Sequence, residues 1–252
     1  MSAEAAPDRT VLRMTGADCR HFLQGLVTHD AQLGTLVYSA LLTPQGKYLA
    51  DFFLLDRGDD ILLDVKTDLA ASLLQRLSMY RLRADVQIEE AGLSVARGQG
   101  TGPDGSFADP RHAGLGWRAY GITGGAAVTD WDALRVSHVI PETGIELIPD
   151  ESYILEMGFD RLAGVDHRKG CYVGQEVTAR MKHKTELRKG LAQVAIDGAA
   201  PVGTAILASG KPAGTLFTQS GGRALAYLRF DRAEGDMRAA DAKISWPVAK
   251  NS

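Results

Sequence analysis

Apolar residues along the first part of the chain come in short runs separated by polar breaks, the pattern of strands rather than of long helices. Thr10–Met14 (TVLRM) reads as a strand, and CRHFLQGLV after it reads as a helix with Asp18 at the N-cap position. LVYSALLTPQGKYLADFFLLD then places two β-like runs around Pro44-Gln45-Gly46, the signature of a hairpin. ILLDVKT supplies a third strand after the turn-forming Gly58–Asp60.

Leucines at helical spacing predict a helix over Leu69–Arg83, capped by Asp68, and VQIEEA returns to strand. Glycine and turn residues dominate from Gly98 to Gly125, which predicts irregular connections there. Thr129 with Asp132 resembles a capping box opening the helix DWDALRVSHVI, which Pro141 would end. Strands and helices in this order, with hairpins present, predict an α+β fold. The composition shifts after Lys189, where LAQVAI, TAILAS, AGTLFTQS, RALAYLRF and KISWPV are separated by Gly, Pro and Asp. That spacing predicts a small antiparallel barrel or sandwich. Two units follow: an α+β region over 1–189 and a small β-barrel over 190–252.

The 252 residues suffice for one large or two modest domains, and 45% hydrophobic with 23% charged residues describes an ordinary globular protein. A net charge of -3 argues against stable nucleic-acid binding, and no apolar run is long enough to span a membrane. The first residues carry acids and lack an apolar core, so they do not read as a signal peptide. Two distant cysteines, Cys19 and Cys171, fit a reducing compartment, and the expectation is a cytoplasmic protein.

The stretch KGCYVGQE (Lys169–Glu176) sets one of those cysteines between glycines. Glycines there allow positive φ or a close backbone approach. Lys169 is placed to lower the thiol pKa if the side chains meet. Gln175 and Glu176 offer the donor and acceptor groups that suit a heterocycle edge. Residues 166–189 hold seven Lys/Arg (Lys184 among them) against three acids, a net +4 that suits an anionic ligand. A plain turn with an inert cysteine and a solvated charged face are the alternatives on these residues alone. No HxxxH, HExxH or CxxC is present, so no intrinsic metal is expected, and two cysteines cannot alone hold an iron–sulfur cluster.

These residues resemble a known family. KGCYVGQE is similar to the signature of YgfZ-type proteins, folate-binding relatives of the glycine-cleavage T-protein (aminomethyltransferase). GADCRHFLQGLVTHD, ALLTPQGKYLADFFLL and RVSHVIPETGIELIPDE resemble the blocks that precede that signature. The resemblance implies a multi-domain T-protein-like fold around a central folate channel, with a terminal barrel. It implies tetrahydrofolate or a substituted derivative as ligand, and support of iron–sulfur cluster assembly or repair in client enzymes, including tRNA-modifying ones. Cys171, with Lys169 beside it and Asp51, would carry any chemistry, and Gln175, Glu176, Tyr172, Gln24, Asp30 and Arg81 would face the ligand. Tyr80-Arg81-Leu82-Arg83 also reads as a helix end whose cations favour its dipole. T-protein relatives carry an Asp-Asp pair where this chain has Ala50-Asp51, which points away from aminomethyl transfer. A folate-dependent one-carbon transferase is the alternative, and whether any step is catalysed stays open.

Overall fold

The computed structural model describes residues 3–183 and 186–247. Strands β1 (Glu4–Ala5) and β2 (Arg9–Thr15) lead into helix α1 (Cys19–Gln24). The hairpin of β3 (Leu36–Leu42) and β4 (Tyr48–Asp56) continues to β5 (Ile61–Lys66), α2 (Thr67–Arg81) and β6 (Gln87–Glu90). Short strands β7 (Val95–Gly98), β8 (Phe107–Ala108) and β9 (Trp117–Tyr120) precede α3 (Trp131–His138) and α4 (Gln175–His183). The last six strands are β10 (Lys189–Asp197), β11 (Ala205–Ala208), β12 (Lys211–Ser220), β13 (Arg223–Arg229), β14 (Met237–Ala239) and β15 (Ala242–Ser245).

Three β-layers result. A five-stranded sheet runs β3-β4-β5-β2-β6, a four-stranded sheet runs β1-β7-β9-β8, and β10-β13-β12-β11-β14-β15 close into an antiparallel barrel. The α+β class and the terminal barrel therefore hold. Every residue of β3 and β4 is buried, because the five-stranded sheet is covered on both faces. Leu41, Phe52 and Leu63 on one face pack with Leu23 of α1 and Leu73 of α2. Tyr38, Phe53 and Leu62 on the other pack with Leu115, Ile140 and Phe159. Strands buried on both faces read as unbroken apolar runs.

Charges fill the seam between the two sheets. Asp64 of β5 accepts from Arg9 Nε at 2.6 Å, Arg118 Nη1 at 3.0 Å and Tyr120 Oη at 3.1 Å. Asp109 accepts from Arg118 Nε at 3.2 Å and Arg111 Nη2 at 2.8 Å. The guanidinium carbons of Arg9, Arg111 and Arg118 lie 5.5, 4.9 and 4.0 Å from the Phe53 ring. Arginine suits such a place because its planar group can stack and bridge two carboxylates at once. Burial works against the charge of Asp109, but Arg111 and Arg118 outweigh it and hold the carboxyl well below its ordinary range.

Several local expectations are corrected. Asp18 makes no cap bond; its carboxylate accepts from Asp85 N at 2.8 Å instead. Asp68 lies inside the first turn of α2, which begins one residue earlier at Thr67. Asp130, not Thr129, caps α3, accepting from Ala133 N at 2.9 Å. Thr129 donates to Glu4 from both its backbone N and its Oγ1. Val139 in the left-handed region stops α3 before Pro141. The stretch from Gly98 to Gly125 is not all irregular, since β8 and β9 lie within it, each too short to show alternation.

Removing one partner of a buried ion pair costs about 3–5 kcal/mol. Asp64→Asn should lower the unfolding free energy by that order in a urea titration; a loss below about 1 kcal/mol would mean the lattice contributes little. Asp109 binds no proton in the folded state at pH values where the unfolded chain, with a carboxyl pKa of about 3.9, begins to. Its share of stability is therefore present above about pH 4 and lost as the pH falls below it. Asp109→Asn should flatten that acid limb in melts taken across the range.

Candidate functional site

Lys169–Gly174 crosses the edge of the five-stranded sheet beside the β3–β4 turn. Tyr172 packs into the core on one face of the sheet and Val173 against the core on the other. Val173 N donates to Gly25 O at 3.1 Å, at the end of α1. The Lys169 side chain, 1% exposed, turns inward, and its ammonium lies 3.0 Å from Asp30 Oδ1. It donates to Gln24 O at 2.7 Å and to Val27 O. A cation at the carboxyl end of a helix is favourably placed. Burial pushes the ammonium pKa down, and Asp30 pulls against that shift. The Tyr172 ring centre lies 4.9 Å from the same nitrogen.

Two glycines bring the loop onto the hairpin. Gly174 has φ +84°, and a Cβ there would stand 2.6 Å from Thr43 O. Gly46 has φ +75°, and a Cβ there would stand 2.8 Å from Val177 Cβ. Neither position has room for a side chain. Cys171 is exposed, while Cys19 is buried, and burial raises the Cys19 thiol pKa. Of the two thiols, only Cys171 is open to solvent.

The structure places the sequence candidates in separate surroundings. The Lys169 ammonium is committed to two carbonyls and Asp30, and it orders the loop. Asp51 is buried under three hydroxyls, Tyr38 Oη at 2.9 Å, Tyr48 Oη at 2.7 Å and Thr143 Oγ1. Burial, and then Asp51 itself, push both phenol pKa values up, so they remain donors. Gln175 and Glu176 belong to the first turn of α4, a helix the sequence reading did not anticipate. Gln175 Nε2 donates to Gly170 O at 3.4 Å, and exposed Glu176 accepts from Arg180 Nη2 at 3.0 Å. Lys184, counted in the basic stretch, lies outside the described residues.

Gln24 and Asp30 line a groove of about 300 Å³ with Arg20, His21 and Ala31. Arg81 lines a different pocket of about 400 Å³, with Phe22, Leu26, Tyr80, Leu82 and Arg83. Arg81 Nη1 also donates to Val86 O at 3.2 Å. These residues do not converge on one folate-sized cavity. The arginines of the inter-sheet seam were not among the candidates, because strands of two to four residues gave no register from which to place them.

Against this geometry the comparisons are specific. A solved structure of the glycine cleavage system aminomethyltransferase T from Bartonella henselae superposes with a TM-score of 0.70, covering 97% of this chain and 85% of that one at 13% identity. The fold is that of the aminomethyltransferase T protein. Residues 188–250 match the model described as the CAF17 C-terminal beta-barrel domain. The mitochondrial iron–sulfur cluster assembly factor IBA57 of Homo sapiens is 29% identical over 276 residues, covering 91% of this chain and 78% of its own. The Mus musculus protein of that name is 28% identical over 278 residues, with the same coverage. The IBA57 homolog of Mycosarcoma maydis is 30% identical over 220 residues, covering 73% of this chain; the chain spans 54% of that relative's length. All three relatives are mitochondrial by name, which overturns the cytoplasmic expectation. The physical reason is plain: free cysteines report a reducing environment and do not distinguish one reducing compartment from another.

A side chain at a positive-φ glycine that also meets a backbone oxygen costs more than the ~1 kcal/mol typical of helix or turn substitutions. Gly174→Ala should therefore lower the melting temperature and change the alkylation rate of Cys171 together. An unchanged rate in a destabilised variant would separate the loop from the hairpin contact. Lys169→Met should also release the loop, read as faster hydrogen exchange at Gly170–Val173, with no change in exchange across the barrel.

Proposed function

We propose that this chain is an accessory factor for iron–sulfur cluster assembly or repair, of the YgfZ and IBA57 kind, acting through Cys171. The observation that carries the reading is one exposed thiol on a loop fixed from both sides, by the buried Lys169 ammonium and by the Gly46–Gly174 approach. A thiolate is a good iron ligand, and a cluster normally takes four ligands. With Cys19 buried, this chain can offer one thiolate, so the remaining ligands must come from a partner. Among the described residues no three His, Cys, Asp or Glu side chains gather into a ligand set. The cluster is thus cargo, held between this chain and an assembly or client protein, tRNA-modifying enzymes among the candidate clients. The names of the relatives support the same role.

Tetrahydrofolate, or a substituted derivative, is the small-molecule ligand in this reading. Its support is the aminomethyltransferase fold together with Arg97 in the inter-sheet seam, whose Nε is buried and unpartnered. Folate would serve as a bound effector rather than as a one-carbon donor. Transfer chemistry of the aminomethyltransferase type would call on Asp51, and that carboxylate is enclosed by Tyr38, Tyr48 and Thr143.

Cys171→Ser is isosteric and surface-exposed, so it should leave the melting temperature and tetrahydrofolate affinity within error of wild type. In cells lacking the factor it should fail to restore iron–sulfur enzyme activity. Full restoration by that variant would sink the proposal.

A further inference from the structure

Cations around the inter-sheet seam fall into two classes. Arg9 contacts Asp64, Arg111 contacts Asp109, Arg118 contacts both, and Lys66 Nζ lies between Asp8 and Glu142 at 2.5 and 2.7 Å. Arg97 is different. Among the described residues no carboxylate comes within ion-pair distance of it, and its Nε is buried without a hydrogen-bond partner. Leaving such a donor unmatched costs free energy that a bound acceptor recovers.

Strand register makes the position still less settled. Arg97 stands directly opposite Arg118 across β7 and β9, and opposite Glu4 across β1 and β7. Like charges directly opposite each other in a sheet are destabilising. Glu4 does not compensate, because its oxygens accept from Thr129 N at 3.1 Å, Thr129 Oγ1 at 2.6 Å and Trp131 Nε1 at 2.8 Å. Trp131 instead holds the guanidinium by its face, 4.1 Å from Cζ to the ring centre. The Arg118 side chain reaches across to Asp64 on the facing sheet, so this row of residues faces the seam. Burial and then Arg118 push the Arg97 pKa down to about 10, while Asp8 and Glu142 pull it up. The group therefore stays charged at neutral pH, and both of those acids are already held by Lys66.

We propose that Arg97 is an anion-binding residue whose guanidinium, stacked on Trp131, takes the carboxylate of a ligand. Resting on the folate reading above, that carboxylate is the glutamate end of the folate. Arginine offers the paired donors that match a carboxylate, and the ring behind it fixes the plane in which they lie.

Isothermal titration of wild type and Arg97→Met with 5-formyltetrahydrofolate, and with the corresponding pteroate lacking glutamate, tests the assignment. Loss of the glutamate should weaken binding to wild type about tenfold, as expected for a charge-assisted hydrogen bond. Arg97→Met should weaken the full ligand by the same factor and leave the pteroate unchanged. Equal affinity of both proteins for the full ligand would overturn the proposal. So would an equal loss for both ligands, which marks a purely structural arginine. If Arg97→Met does not fold, Arg97→Lys, which keeps the charge without the fork, is read by the same two-ligand comparison. If wild type binds neither ligand, the folate reading fails on its own. The anion site is then decided with inorganic phosphate: a change in tryptophan emission abolished in the variant upholds it, and no change overturns it.

Discussion

One buried aspartate, Asp64, ties the two sheets of the body together through Arg118, whose guanidinium lies over the Phe53 ring and is shared with Asp109. Arg118 and Tyr120 of the four-stranded sheet both donate to Asp64 of the five-stranded one, so the sheets cannot shift without breaking a buried ion pair and a hydrogen bond together. Such lattices give little net stability over an apolar seam, because desolvation consumes much of the attraction. Their value lies in fixing one arrangement, since a slipped register would strand buried charge. The short strands β7, β8 and β9 add only a small apolar cluster of their own, around Ala96, Trp117 and Ala119.

The candidate loop depends on a second buried charge. Lys169 opens the KGCYVGQE stretch, two residues before Cys171, yet its side chain faces inward, toward the carbonyl end of α1 and Asp30. The loop that carries the thiol is thus held from beneath by a buried ammonium. The barrel is fastened to the same body through Arg135, which contacts both Glu146 and Thr218 Oγ1, the latter at 2.8 Å.

Long features of the fold were legible in the sequence, and short ones were not. The runs LVYSALL and YLADFFLLD declare doubly buried strands, and the evenly spaced runs after Lys189 declare a barrel. Helix caps were misassigned at Asp18, Asp68 and Thr129 because a cap is decided by competition among nearby donors and acceptors. Asp85 and Glu4, both remote in sequence, won two of those competitions. Strands of two to four residues left no periodicity, so Arg97, Arg111 and Arg118 could not be assembled from the sequence. KGCYVGQE stood out in the sequence as a candidate loop, but α4 beginning at Gln175 did not, since its first residues read equally well as loop. Nor does sequence adjacency reveal which way Lys169 turns.

The approach of Gly46 to Gly174 joins a hairpin turn to a loop from a distant part of the chain, with no side chain between them. The length of the β3–β4 hairpin consequently works as a ruler for Cys171. An extra residue in that turn would either lift the cysteine outward or strip its loop from the sheet edge. A region that looks like an ordinary surface turn thus sets how far the thiol projects.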